Sequence, residues 1–137
     1  MTEYAPTKVL IIEDDRDTRR AMRSVLEAGH CLVAEAAHGD IGVELAKRFV
    51  PSVIVLDLLL PDMTGTEVLL ELKQDILTAD IPVIIVSVVR RQEAGIAAHA
   101  VAAHLVKPVA GDHLLETVRH VMALPLRERR LEDEHPA

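Results

Sequence analysis

Three segments of this chain are unbroken apolar runs rich in β-branched residues: Val9-Leu-Ile-Ile12, Val53-Ile-Val-Leu56 and Pro82-Val-Ile-Ile-Val86. A strand with one wet face alternates apolar and polar residues. A strand that is apolar throughout is expected where helices cover both faces of a parallel sheet. The intervening sequence has helical spacing. Residues 16–28 place Ala21, Met22, Val25 and Leu26 on one stripe, with Gly29 suited to the C′ position. Residues 31–34 form a short second strand. Asp40 is placed to cap a helix carrying Ile41, Val43, Leu45 and Ala46, which stops before Pro51. Thr64-Gly-Thr-Glu67 has capping-box form and opens a helix through Val68, Leu69 and Leu72. A weakly patterned helix at 93–100 leads to a fifth strand at Leu105-Val106, and a last helix at 112–123 presents Leu114, Leu115, Val118, Val121 and Met122. Five βα units with right-handed crossovers make a doubly wound α/β sandwich, a parallel sheet with helices on both faces. In such sheets the functional crevice lies beyond the carboxyl ends of the strands.

Composition narrows the function. The 137 residues suit one domain, with residues 1–7 as an N-terminal tail, 8–123 as the folded unit, and 124–137 as a charged C-terminal tail or the start of a linker. A net charge of −7, from 22 acidic and 15 basic residues, argues against nucleic acid as a partner. Tyr4 and Phe49 are the only aromatic residues, too few for base stacking. The single cysteine, Cys31, excludes an intrachain disulfide framework, and no apolar run approaches the length of a membrane span. The expectation is a cytoplasmic domain with no membrane partner.

Polar residues then gather at the predicted strand ends. The first strand ends in Glu13-Asp14-Asp15, the third in Asp57, the fourth in Ser87, and Lys107-Pro108 follow the fifth. Asp57 stands between Val53-Ile-Val-Leu56 and Leu58-Leu-Leu60, where an ionised carboxylate is costly without a cation or donors nearby. By itself Asp57 reads equally well as a turn cap. Two more acids at a neighbouring strand end shift the balance, because clustered carboxylates demand a counter-ion and hard oxygen ligands suit Mg²⁺. Lys107 adds a fixed positive charge.

The stretches Val9-Leu-Ile-Ile-Glu-Asp-Asp15, Val53-Ile-Val-Leu-Asp-Leu-Leu-Leu-Pro-Asp-Met-Thr-Gly65, Pro82-Val-Ile-Ile-Val-Ser87 and Leu105-Val-Lys-Pro108 together resemble the receiver domain of two-component response regulators, over about residues 8–123. The resemblance implies a flavodoxin-like sheet of strand order 2-1-3-4-5. It also implies that Asp57 is the phosphoacceptor, that Glu13, Asp14, Asp57 and the backbone carbonyl of Leu59 hold Mg²⁺, and that Asp15 is a loop or helix-start acid. Ser87 then corresponds to the switching hydroxyl, Lys107 to the phosphoryl-binding lysine, and Pro108 to a cis-proline. A phosphohistidine on a sensor histidine kinase or histidine phosphotransfer protein would be the donor. The output would be a downstream protein or a homodimer, engaged through the face formed by the 93–100 helix, the fifth strand and the last helix, which carries Arg90, Arg91, His99, His104 and His113. Such a chain is a signalling phosphoacceptor, not an enzyme; it catalyses only its own phosphorylation and slow dephosphorylation.

Departures from the family pattern carry their own expectations. His104 stands where an aromatic switch residue is usual. It reads as a neutral, partly exposed replacement, or more sharply as a pH-sensitive element of the switch. Val109 replaces a common phenylalanine, and Ala100 a common glycine. Val88 and Leu59 should restrict water and lengthen the phosphoryl lifetime. Arg19, Arg20 and Arg23 read as a solvated basic face. His30, His38, His99, His113, His120 and His135 have no convincing metal-ligand spacing. Among rival functions, a haloacid-dehalogenase-type phosphatase needs a second carboxylate where Leu59 stands. A pseudo-receiver, acting as a phosphorylation-independent binding module, normally lacks part of the acid–hydroxyl–lysine set. A stand-alone receiver and a receiver cut from a longer regulator fit the sequence equally.

Overall fold

The computed structural model describes residues 5–90, 95 and 101–124, and they contain a five-stranded parallel sheet and four helices. In chain order these are β1 (Lys8–Ile12), α1 (Arg16–Ala28), β2 (Leu32–Ala36), α2 (Gly39–Phe49), β3 (Val53–Leu56), α3 (Gly65–Gln74), β4 (Val83–Ser87), β5 (Ala103–Val106) and α4 (Gly111–Ala123). The sheet order is β2-β1-β3-β4-β5, as the receiver resemblance implies. The helix expected at 93–100, with Arg91, His99 and Ala100, lies outside the described residues, as does His135.

The uniformly apolar strands serve two cores at once. Leu10, Ile12, Ile54, Leu56, Val83 and Ile85 pack with Val43, Ala46, Val68 and Leu72 of α2 and α3. The alternate residues Val9, Ile11, Val53, Val55, Ile84 and Val86 pack with Met22 and Leu26 of α1 and with Leu114, Val118 and Val121 of α4. Strand pleating sends successive side chains to opposite layers, so neither face tolerates a polar position.

Two edges differ from their sequence reading. β2 runs from Leu32 to Ala36, not 31–34, because its backbone pairs in register with Lys8–Ile12 of β1. As an edge strand it is only partly buried, and Leu32 is exposed. β5 begins at Ala103, extended by its pairing with β4. In the last helix Leu115 and Met122 are half-buried beside the fully buried Leu114, Val118 and Val121, while Ile41 of α2 is exposed.

The helix ends are fixed by capping. Asp15 caps α1, its Oδ2 accepting from the Thr18 N–H at 2.9 Å and hydroxyl at 2.6 Å. Thr64 and Glu67 form the expected capping box on α3. Gly29 does not take the left-handed conformation; His30 does, at φ 71°. A Cβ at Gly29 would lie 2.7 Å from Leu115 Cδ1, the end of a half-buried side chain that would have to shift. Asp40 does not cap α2, which begins at Gly39 with His38 contributing no side-chain bond. Two of its free N–H groups are met by Asp62, whose oxygens accept from Gly39 at 2.8 Å and Asp40 at 2.9 Å, while the Asp40 carboxylate accepts from the Ile41 N–H beside it, at 2.7 Å. Those backbone bonds hold the Asp62 carboxyl below its usual range.

Asp62 belongs to the loop after β3, and the same loop is closed at its far end. The Gly65 N–H donates to the Leu58 carbonyl at 2.8 Å, and Leu59 bridges Thr64. A Cβ on Gly65 would come within 2.5 Å of Leu58 Cα and 2.9 Å of the Asp57 carbonyl oxygen. Backbone cannot retreat as a side-chain end can. Gly65→Ala should therefore cost about 1–3 kcal/mol or more in urea unfolding, whereas an unchanged midpoint would mean that α3 docks more loosely than this contact requires.

Candidate phosphoryl-transfer site

The strand register assembles the site. Ile12 pairs with Leu56, so Glu13 and Asp57 leave adjacent strand ends, and the Asp57 N–H donates to the Ile12 carbonyl at 3.0 Å. β1 is flanked by β2 on one side and β3 on the other, which makes the β1/β3 boundary the point where the chain order reverses. Ser87 pairs with Val106, and the Lys107 N–H donates to the Ser87 carbonyl at 2.9 Å. The Lys107–Pro108 bond is cis, as expected.

Glu13, Asp14 and Asp57 offer carboxylate oxygens that all lie within 4.8 Å of one another. It is the only such acidic or histidine-bearing cluster of three among the described residues, and His30, His38, His113 and His120 take no part. Glu13 is 1% exposed and Asp57 6%, while Asp14 faces solvent. The Lys107 ammonium reaches between the buried pair, 2.6 Å from Glu13 Oε1 and 3.0 Å from Asp57 Oδ2. The other Asp57 oxygen accepts from the Leu59 N–H at 3.1 Å, and Glu13 Oε2 accepts from the Asp15 N–H at 3.0 Å.

Burial pushes the Glu13 carboxyl above its ordinary range, against the pull of Lys107 and the Asp15 N–H and with added repulsion from Asp57. Burial also works against the Lys107 charge, but hydrogen bonds to Glu13 and Asp57 outweigh it and hold the ammonium above its usual value. One ammonium between two buried carboxylates, with a third at the rim, leaves a surplus of negative charge. The chemistry suits a hard divalent cation bound through oxygen. Lys107 already stands in for part of that charge.

The remaining expected residues are placed less directly. Ser87 is fully buried, and its hydroxyl accepts from the Val89 N–H at 3.4 Å, with no described bond to the carboxylates. His104 is half-buried, and its Nε2 lies 2.9 Å from the Val89 carbonyl oxygen. Leu59 and Val88 are 54% and 59% exposed, and Val88 lines the groove beside Lys107. A groove of about 540 Å³ runs beside Lys107, lined by Met22, Val25, Val88, Val109 and Leu114.

The arginines of α1 do not form the uniform solvated face expected of them. Arg20 is exposed, but Arg23 bonds Glu35 and Glu27, and Arg19 turns back over the acidic loop to reach Glu35 and the carbonyls of Glu13 and Asp14. Asp62 and Arg19 are the contributors that sequence reading missed. Asp62 was visible only as part of the stretch after β3, and Arg19 only as one basic residue among three.

Comparison with known proteins identifies the family and the fold. The family model of the response regulator receiver domain matches residues 9–119. Protein PilH of Pseudomonas aeruginosa is 30% identical over 118 residues, covering 85% of this chain and 98% of PilH. The nitrate/nitrite response regulator NarP of Escherichia coli is 34% identical over 121 residues, covering 87% of this chain, which spans only 56% of NarP. Among solved structures, a CheY-like receiver domain protein from Methanospirillum hungatei superposes with a TM-score of 0.79 at 26% identity, covering 86% of this chain and 94% of that one.

The raised Glu13 carboxyl has a definite sign for stability. Its unfolded-state value lies near 4.5, so above that pH the native protein bears a cost of ionisation that the unfolded chain does not. In metal-free buffer at pH 7, Glu13→Gln should raise the urea midpoint, and the gain should shrink as the pH falls toward about 4.5 and be gone below it. A lower midpoint at pH 7 would show that Lys107 overcompensates the burial.

Proposed function

The chain belongs to the response regulator receiver domain family, and we propose that Asp57 is the carboxylate through which it takes up a phosphoryl group. The observation that carries this reading is the environment of Asp57. It is buried at the sheet's switch point, with one oxygen on the Leu59 N–H and the other on the Lys107 ammonium, beside Glu13 and Asp14.

In the proposed reaction an Asp57 oxygen attacks phosphorus. The phosphorus–nitrogen bond of a phosphohistidine on a kinase or phosphotransfer partner breaks, the electron pair returns to the imidazole, and an aspartyl phosphate remains. Mg²⁺, held by Glu13, Asp14, Asp57 and the Leu59 carbonyl, would neutralise charge on the phosphoryl oxygens. Lys107 supplies a second, fixed positive charge, and its two carboxylate partners keep it protonated across the physiological range. The Leu59 N–H fixes the rotation of the carboxylate. The donor approaches over the groove beside α1 and Lys107.

Ser87 is proposed to turn its hydroxyl toward a phosphoryl oxygen. Val89 is where that movement spreads, because its N–H is held by Ser87 and its carbonyl by His104. His104 Nε2–H can donate to that carbonyl in the neutral ring or the charged one, so the bond itself survives protonation. The shifted output face would then engage a downstream protein or a second copy.

Incubation with acetyl phosphate and Mg²⁺ tests the proposal. The intact protein should gain the mass of one phosphoryl group, and Asp57→Asn or chelation by EDTA should abolish the gain. A wild type that stays unmodified would favour the pseudo-receiver, and an Asp57→Asn protein that is still modified would move the acceptor elsewhere. The half-exposed side chains of Val88 and Leu59 should slow attack by water. The phosphoryl group is expected to last minutes and to decay several-fold faster in Val88→Ala; a wild-type half-life of seconds would refute that role.

A further inference from the structure

Arg19 lies outside every stretch that carries the receiver resemblance, yet it is the side chain most closely engaged with the backbone of the acidic loop. Arg19 follows the Asp15 cap by four residues, and its N–H donates to the Asp15 carbonyl at 2.9 Å. Helical side chains lean toward the N-terminus, which brings this one back over the Glu13–Asp15 turn. Its Nη1 donates to the Glu13 carbonyl at 2.9 Å and to the Asp14 carbonyl at 3.3 Å. Its Nε donates to Glu35 Oε1 at 2.7 Å, and only 16% of the side chain is exposed.

Glu35 anchors this arrangement. It sits on β2 opposite Ile11, and the next residue, Ala36, accepts the Glu13 N–H at 3.0 Å. Its second oxygen takes Arg23 Nη1 at 2.6 Å, and Arg23 is tied in turn to Glu27. Hydrogen bonds from Arg23 and then Arg19 keep the Glu35 carboxyl below its usual range despite partial burial, so it is a firm acceptor. The guanidinium is therefore held from β2 while it holds the two peptide planes from which the Glu13 and Asp14 side chains depart.

We propose that Arg19 is a positioning residue for the divalent-cation site: its fork fixes the Glu13 and Asp14 backbone so that both carboxylates converge, and Glu35 fixes the fork. This rests on the Mg²⁺ reading given above. Arginine suits the task because its planar donors serve two carbonyls and a carboxylate at once. Positioning and simple charge predict opposite signs. A cation near a Mg²⁺ site opposes the ion, so removing Arg19 by charge alone would tighten binding. Removing a positioning group weakens it, as is general for groups that orient metal ligands.

The experiment is a calorimetric titration of the full chain with Mg²⁺ alone, repeated with Mn²⁺ followed by electron paramagnetic resonance. Arg19→Gln should bind Mg²⁺ about 10–100-fold more weakly than wild type, with a broadened Mn²⁺ spectrum from a less uniform ligand set. The affinity is read on folded protein, where lost stability alone leaves it unchanged. Arg19→Lys keeps the charge and loses the fork, and should be weakened several-fold, less than Arg19→Gln; it decides the matter if Arg19→Gln does not fold. Unchanged or tighter binding in Arg19→Gln, or wild-type affinity in Arg19→Lys, overturns the proposal while leaving the metal reading intact. A wild type that takes up no Mg²⁺ removes both.

Discussion

The Lys107 ammonium between Glu13 and Asp57 is the interaction on which the rest of the site depends. It joins the end of β5 to the ends of β1 and β3, across sequence separations of 94 and 50 residues. Two buried carboxylates on neighbouring strands repel each other and lack water. Burial and that repulsion raise the Glu13 carboxyl even with the ammonium in place. Placing that cation needs the strand order β1-β3-β4-β5 to be complete, because Lys107 reaches the acids from two strands beyond β3. Buried charge clusters of this kind seldom stabilise a fold. Here the stabilisation comes from the two apolar cores, and the site is a costly cluster of charge that those cores sustain.

The contrast between local and non-local constraints explains what could be read from the sequence. Thr64 is legible as a helix start because it bonds a residue three positions on, and Asp15, read as a loop or helix-start acid, proves to make the same kind of bond. The cap of α2 was not, because Asp62 acts from 23 residues away while Asp40, the adjacent acid, does not cap. The central strands declared themselves as unbroken apolar runs, since both faces are covered. β2 was misplaced by two residues at its end because an edge strand carries a polar residue, Glu35, and takes its limits from its partner's register.

The site divides along the same line. Glu13, Asp57 and Lys107 stand out because charges gather at the ends of several apolar strands, where any one alone could be a turn cap but together they need a counter-ion. Arg19 and Glu35 did not, because an arginine on an amphipathic helix and a glutamate on an edge strand are ordinary surface residues by every local criterion. Only the fold shows that they meet. The charges that shape the acidic loop were thus hidden by their commonness, and the charges that fill it were exposed by their rarity.

The shortage of aromatic residues acts at this point of the structure. A ring at position 104 would hold its surroundings by packing, which weakens gradually as neighbours move. His104 instead holds the Val89 carbonyl by a directional hydrogen bond of 2.9 Å, while Ser87 holds the N–H of the same residue more loosely at 3.4 Å. Hydrogen bonds weaken steeply with distance and misalignment. If Ser87 turns toward a phosphoryl group as proposed, Val89 loses its weaker tether first and keeps the stronger. The peptide is then free to pivot about the His104 contact, not to leave it. On the proposed reading His104 would be the fixed point of the motion, where the family resemblance implies an aromatic switch residue.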